Sequence, residues 1–402
     1  MRLEVHVLQN FAPSNLNRDD TGSPKDAEFG GHRRARISSQ CIKRAVRRYF
    51  EADDLMPKAH RGERTKRLAK AVADYLTAVK KRPEAAATTA AQAGVVAFLA
   101  KSEAKDDGDH KTPYLLFLGQ SEITRFADLV DQHWEAFSAA PAAVPAAAEA
   151  PRPRGRGRAR AAAADTGPKV PDGFAKAVEK LLDGGKAADL ALFGRMLADL
   201  PENNVDAACQ VAHAISTNKI HSMEMDYYTA VDDLKPDDTA GADMIGTVEF
   251  NSACFYRYAN LDLGQLVKNL QNDTVLARKT VEAFLTATIH AIPTGKQNSF
   301  AAHNPPSLVF AVVRSGPPVS LANAFVKPVW PGRDGNLVEL SVKELDSYYG
   351  KIAKAYGDGG RTAAAVCCLD GELKTLKPFE KGSVAEVIST AVDAAFGGKG
   401  AA

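Results

Sequence analysis

Cations crowd the segment NLNRDDTGSPKDAEFGGHRRARISSQCIKRAVRR, residues 15–48, at a density suited to neutralising a run of phosphates. Residues 1–50 hold ten Lys and Arg against five Asp and Glu, a local net of +5 in a 402-residue chain whose total is only +2. Side chains of this kind bind polyanions by releasing condensed counterions, so nucleic-acid binding is the first chemistry to consider. In helical projection Lys43, Arg44, Arg47 and Arg48 share one arc with Gln40, opposite Ile42, Ala45, Val46 and Tyr49. His32, Arg34 and Arg36 alternate onto one side of a strand just before it. Ser38 or Ser39 caps the helix, adding free N–H groups at its positive end. Such a surface can follow consecutive phosphates without reading bases.

The intervening loop, RDDTGSPKDAEFGG, has Lys25 after a Ser-Pro turn, and Gly22, Gly30 and Gly31 allow close backbone approach. Its acids Asp19, Asp20, Asp26 and Glu28 leave two roles open: folding the loop by pairing with arginines, or assisting metal-dependent RNA cleavage. Residues 222–243 have the opposite sign, with seven acids and one lysine. That segment also carries Met223, Met225, Tyr227, Tyr228 and Val231, which could stack on bases or pack on the chain's own core. A third polar stretch, IPTGKQNSFAAHNP at 292–305, offers Lys296, Gln297, Asn298 and Ser299 as donors.

Enzyme signatures are largely missing. GxSxG, HExxH, GxGxxG and GxxxxGK[ST] patterns do not stand in a usable context, and no CxxC or conventional His/Cys spacing suggests zinc. No cofactor is expected. Five cysteines cannot all pair, which fits a reducing cytoplasm. No apolar run approaches a membrane span, and the N-terminus lacks the order of a signal peptide, so a cytoplasmic protein without a membrane partner is expected.

The elements that must position these groups follow from periodicity. Residues 2–8 alternate as a half-buried strand, with Glu4 and His6 on the solvent side. The segment from there to Gly31 is too punctuated for regular structure. A helix spans 39–50, and a mostly helical region follows from about 60 to 135. Residues 139–164, including PRPRGRGRARAAAA, cannot bury enough apolar surface to order themselves and read as a flexible insertion. Strands return in TVEFNSACFYRYANLDL, SLVFAVVRSG and TAAAVCCLDG. TVEAFLTATIHAI is a helix, and Ser383 with Glu386 begins a last one near 384–396. An α+β core completed by both ends of the chain is therefore expected, with a helical insertion between.

The blocks LNRDD (16–20), KDAEFGGHRRARISSQ (25–40), DYYTAVDDL (226–234), FYRYANLDL (255–263), GKQNSFAAHNP (295–305) and ANAF (322–325) resemble the CasC family, the backbone subunit of the type I-E CRISPR Cascade complex within the RAMP superfamily. The resemblance implies an RRM-like (ferredoxin-like) palm at 1–52 and 186–402, helical fingers at 53–185, and a thumb-like β-hairpin at 212–247. It implies a chain that polymerises head-to-tail along a CRISPR RNA, kinks it at regular intervals and presents it to target DNA. Its partners would be the guide, the paired DNA, further copies of itself and the other Cascade subunits, with recruitment of a helicase-nuclease by the whole complex. By matching position, Arg18, Lys25, Ser39, Gln40, Lys43, Arg47, Lys296, Gln297 and Asn298 would contact guide phosphates. His32 and Arg34 join this set from the strand pattern. Met196, in the matching GRM at 194–196, would abut bases, and Tyr227, Tyr228, Thr229 and Val231 would pack around the displaced nucleotide. The reading is of a non-catalytic scaffold. The alternative is a metal-dependent endoribonuclease of the same superfamily that uses Asp19, Asp20 or Asp26.

Overall fold

The alternation at the N-terminus builds the centre of the fold. In the computed structural model, residues 1–99, 111–112, 114–139, 170–197, 200–220, 223–228 and 246–397 are described. In chain order they form β1 (Arg2–Ser14), β2 (Asp26–Phe29), β3 (His32–Ile37), α1 (Ser39–Ala52), β4 (Gly62–Thr65), α2 (Leu68–Ala78), α3 (Glu84–Phe98), β5 (Leu116–Gly119), α4 (Gln120–Gln132), α5 (Trp134–Ser138), α6 (Phe174–Leu181) and α7 (Ala188–Phe193). There follow β6 (Cys209–Val211), β7 (Ala214–Ser216), β8 (Glu224–Tyr228), β9 (Gly246–Asp262), α8 (Leu263–Asn269), α9 (Thr274–His290), α10 (Gln297–Phe300), β10 (Leu308–Arg314), α11 (Leu337–Tyr356), β11 (Arg361–Cys368) and α12 (Val384–Phe396).

Two compact units divide the chain: Met1–Met56 with Ala208–Val267 and Asp273–Ala402, and Pro57–Ala207 with Lys268–Asn272. The return to the first unit thus falls at Ala208 rather than 186. The Arg195–Glu122 ion pair and the Arg195–Val205 bridge hold the intervening residues in the second unit.

The first unit contains an antiparallel sheet of order β11-β10-β1-β9-β7-β3-β2, with β6 and β8 also paired to β9. β1 lies between β10 and β9, with Val5 opposite both Ala311 and Ala259. Leu3, Val5 and Val7 are buried on one face, where each is worth roughly 1.5–3 kcal/mol. α12 packs on that sheet and on α9, and α9 packs on α1.

The other face is covered too, which corrects the half-buried reading of β1. α11 and a 3₁₀ turn at Ala322–Phe325 close over it, and Leu8, Phe310, Val342, Leu345 and Tyr349 join one apolar cluster. Glu4 and His6 are consequently 0% and 1% exposed. Glu4 pairs with Arg314 at 2.7 Å, and His6 Nδ1 meets the Tyr256 hydroxyl at 2.9 Å. Burial lowers the His6 pKa and raises that of Tyr256.

β1 also continues to Ser14 past a register shift, and 26–29 forms a strand, so regular structure invades the segment expected to be irregular. Gly30 and Gly31, both at positive φ (61° and 73°), make the two-residue turn joining β2 to β3. The helix expected at 280–292 is present but begins six residues earlier and ends at His290, with Asp273 as its cap, and the helix expected near 384–396 is present with Ser383 accepting from the Glu386 N–H at 3.2 Å.

The second unit holds α2–α7 and a two-stranded sheet, β4–β5. Its core joins Val72, Leu76, Ala90, Phe126, Val130, Phe137 and Phe174. The proposed flexible insertion lies, save for Ala139, outside the described residues.

Candidate nucleic-acid interface

Three asparagines hold the loops that shape the basic face of the first unit. Asn17 Oδ1 accepts the Ser38 N–H at 2.8 Å, and the Asn17 carbonyl accepts the Lys25 N–H at 2.9 Å. The base of the 17–25 loop is thereby tied to the start of α1, where Ser38 caps Cys41. Asn15 donates to the carbonyls of Gly22 (3.0 Å) and Glu249 (2.8 Å). Asn304 joins the stretch after α10 to β1, its Oδ1 accepting from the Ala12 N–H at 3.2 Å. At Gly295 a Cβ would sit 2.4 Å from the Leu16 carbonyl oxygen, so the 292–296 loop needs glycine for this approach.

Between these loops and α1 lies an open groove of about 910 Å³, lined by residues 16–22, by Cys41, Arg44, Ala45, Arg48, Tyr49, Glu51 and Ala52, and by residues 291–295. Arg18, Arg44 and Arg48 are exposed. The loop acids have defined employment. Asp19 Oδ1 accepts from the Thr21 N–H (2.9 Å), the Thr21 hydroxyl (2.7 Å) and the Ser23 N–H (3.0 Å), and the Thr21 hydroxyl bond leads in lowering its pKa. Asp26 is bound by the Arg33 guanidinium. Of the two roles left open for these acids, folding the loop is therefore the one seen for Asp19 and Asp26.

Arg36 and Lys25 both depress the His213 pKa after burial has done so, and Arg44 and Lys25 both act on the Cys41 thiol, which burial raises. Arg36 also meets His213 Nδ1 at 3.1 Å and donates to the Asp26 carbonyl at 2.9 Å. The Arg36 N–H donates to the Lys25 carbonyl at 2.9 Å, so loop and strand carry these two cations side by side, while Arg44 lines the groove from α1. Lys43 lies on another side of α1, near Cys209, whose thiol burial pushes up to about 12.

Arg34 is a correction. It is 0% exposed, and its guanidinium donates to the carbonyls of Ser216 (2.8 Å), Thr217 (3.0 Å), Phe325 (2.6 Å) and Val326 (3.1 Å). It cannot face a phosphate, because the backbone at 216–217 and 325–326 closes around its guanidinium. Ser39 is also buried, with its hydroxyl directed at Gln40 Oε1 (3.3 Å), while Gln40 is exposed. His32, Lys43 and Arg47 are half-buried. Lys296, in a left-handed conformation, opens α10 and is half-buried. Gln297 spans its own turn, donating to the Pro293 (3.1 Å) and Ala302 (3.3 Å) carbonyls, and Asn298 is exposed.

The acidic segment enters and leaves through a hairpin in which β8 pairs β9, with Tyr227 opposite Thr247 and Tyr228 opposite Gly246. Met225 on β8 is 52% exposed. Thr229 and Val231 lie outside the described residues. In the second unit, Met196 is 82% exposed beside a rigid anchor. The neighbouring Arg195 donates from Nη1 to both carboxylate oxygens of Glu122 (2.8 and 2.9 Å), both side chains fully buried, and Glu122 also accepts from the Gly119 and Gly184 N–H groups at 2.7 Å each.

Arg44 and Arg48, placed by the helical projection on the basic arc but absent from the set implied by the resemblance, are the α1 cations that line the groove. Among the described residues, no group of three or more His, Cys, Asp or Glu side chains is arranged to hold a metal ion. No described helix is long and apolar enough to cross a membrane.

Fold and site together define an α+β protein whose antiparallel sheet carries a basic, loop-framed groove. Residues 3–393 match the family of CT1975-like proteins, and the chain belongs to that family. It is similar to a chain of a solved "CRISPR RNA-guided surveillance complex, pre-nicking", at 31% identity and TM-score 0.80 over 98% of this chain and 100% of that one. A chain of a second "CRISPR RNA-guided surveillance complex" is similar at 26% identity and TM-score 0.72, with the same coverage. No curated protein matches.

Proposed function

We propose that this chain is the CRISPR RNA-binding backbone subunit of a type I-E Cascade complex, polymerising head-to-tail along the guide, kinking it at regular intervals and presenting it to target DNA. The observation that carries the reading is the groove lined by the exposed Arg18, Arg44 and Arg48, while Asp19 and Asp26 are engaged within their own loop and hairpin. Such a face attracts a phosphate backbone, and sequence specificity is left to base pairing. The strand order β10-β1-β9-β7, with α1 and α9 as the helices joining them, supports an RRM-like, ferredoxin-like palm. The second unit is read as the fingers, and the β8–β9 hairpin as the root of a thumb reaching a neighbouring copy.

In this mechanism Arg18, Lys25, Gln40, Lys43 and Arg47 hold the guide, joined by Lys296 and Asn298. Met196 abuts bases, and Tyr227 and Tyr228 lead into the element that displaces one nucleotide per copy. The chain acts without catalysis, in the cytoplasm, alongside the other Cascade subunits, and the complete assembly recruits a helicase-nuclease. Sequencing the RNA that co-purifies with the protein tests the reading: repeat-spacer sequences are expected, and a random RNA population would sink it. Incubating the RNA-bound protein with complementary RNA and Mg²⁺ tests the endoribonuclease alternative. Regularly spaced cuts that vanish on Asp19→Ala, Asp20→Ala or Asp26→Ala would favour that alternative.

A further inference from the structure

The stretch between the 3₁₀ turn and α11, VKPVWPGRDGN at 326–336, presents Trp330 to solvent at 72% exposure. Large aromatic surface is costly to leave in water, so its mounting matters. The residue before it, Val329, is 6% exposed, and its N–H donates to the Thr217 carbonyl at 2.9 Å. Further back, Phe325 is fully buried, and the carbonyls of Phe325 and Val326 are held by Arg34. On the other side the chain turns tightly: a Cβ at Gly335 would lie 2.1 Å from the Pro331 carbonyl oxygen, and Asn336 then caps α11. Pro328 and Pro331 restrict the backbone around the indole. The ring is therefore carried on a stiff mount, and little ordering entropy remains to be lost on binding.

The charge around it is positive. Lys327 and Arg333 lie three residues to either side and are exposed, against the single acid Asp334. The Gly30–Gly31 turn abuts Val326, where a Cβ at Gly30 would meet the Val326 carbonyl at 2.2 Å. This brings the β2–β3 hairpin, with His32 next to its turn, against the same stretch. A rigid indole among cations suits a ligand that is both planar and anionic.

We propose that Trp330, flanked by Lys327 and Arg333, is a stacking platform for an unpaired base of single-stranded nucleic acid, with the two cations on the adjoining phosphates. This rests on the guide-binding reading and adds a contact to it. The strand is either guide RNA or single-stranded DNA, and the two are separated below. A protein partner would also cover a tryptophan, but the paired cations and the stiff mount favour a polyanion.

The test uses the full chain and 5-iodouridine-substituted RNA, with photocrosslinked peptides mapped by mass spectrometry. A crosslink at Trp330 is expected. Trp330→Ala should bind oligonucleotide about 5- to 150-fold more weakly, the range for one lost stack, and Trp330→Phe should recover most of the loss. Lys327→Ala and Arg333→Ala should each lower the salt slope of RNA binding by roughly 0.7. If the crosslink appears only with iodo-substituted DNA added to guide-loaded protein, the platform serves the DNA strand. Overturning results are a chain that binds RNA normally with no crosslink at Trp330 on either strand, or a Trp330→Ala chain of unchanged affinity for both. A Trp330→Ala chain whose only defect is self-association at zero RNA would also overturn it, assigning the ring to a protein contact. In each of those cases the guide-binding reading stands, whereas failure of the unsubstituted chain to bind any RNA would remove that reading itself.

Discussion

Two buried arginines, one in each unit, lock loops in place by opposite means. Arg195 in the second unit faces a carboxylate: Glu122 takes it through both oxygens and also accepts two backbone N–H groups. Arg34 in the first unit has only carbonyls, four of them, from chain segments 182 to 292 residues away. Burial lowers the Arg34 pKa, with no anion to offset it. The first arrangement is a charge pair, completed by the Leu182 and Asn203 carbonyls, that ties α4 to the 182–184 turn and to the segment carrying the exposed Met196. The second is a hub, in which one cation joins β3, the 216–217 turn and the 325–326 stretch. The lesson is that a cation's sign says little about its task; what surrounds it decides whether it is a fastener or part of a surface.

The largest effect is expected where an ion is left alone. Glu122→Ala strands a buried guanidinium and two N–H groups, and should cost about 3–5 kcal/mol in urea unfolding. The double variant Glu122→Leu with Arg195→Met should cost less than Glu122→Ala, since no charge is then uncompensated. A double variant as unstable as the single would break the contrast.

Arg34→Met comes next, at about 2–3 kcal/mol, because it removes several charge-assisted bonds but leaves only neutral carbonyls behind. At matched folded fraction its RNA-binding salt slope should equal that of the unsubstituted chain. A slope reduced by one phosphate's worth would return Arg34 to the binding surface.

A third prediction uses pH against buried polar groups generally. Burial depresses the His6 pKa in the folded state. The unfolded chain therefore takes up a proton at His6 first, as pH falls below about 6.5. The stability contributed by neutral His6 is present above that pH and is lost as pH falls towards the folded pKa, by at most about 1.4 kcal/mol per unit. Urea midpoints followed from pH 7 to 5 should fall less steeply in His6→Gln. An equal slope would place the titration elsewhere.

The smallest stability change is expected at the surface. Lys25→Ala should move folding stability by under about 0.5 kcal/mol while lowering the RNA-binding salt slope by roughly 0.7. Loss of folding with no change in slope would make Lys25 a structural residue like Arg34.

The elements were readable wherever the signal was local. Ser38 before QCIKRAVRR marked α1, and Ser383 with Glu386 marked α12, because a cap and a 3.6-residue period lie within a few residues of each other. The signal for α11 was equally local, in Asn336, Glu339 and the spacing of Val342, Leu345 and Tyr349, yet the polar residues between them masked it. The site was readable as a concentration of charge but not as a geometry. Arg34 and Arg36 have the same type and the same alternation, and only one of them is at the surface. Gly295, Asn15 and Asn17 read as loop residues, whereas their task is to hold loops together over distances that no sequence window spans.

By itself, then, the sequence determined the elements with local caps and clear periodicity, such as α1 and α12, the sign of each segment, and the family blocks that pointed to nucleic acid. Tertiary structure alone decided that both faces of β1 are covered, that Arg34 is a fastener, that Arg44 and Arg48 line the groove, and that Trp330 stands out on a stiff mount. Hydrogen bonding and periodicity within an element depend on neighbours in the chain. Burial of a polar group depends on what closes over it, and here the closing elements arrive from hundreds of residues away.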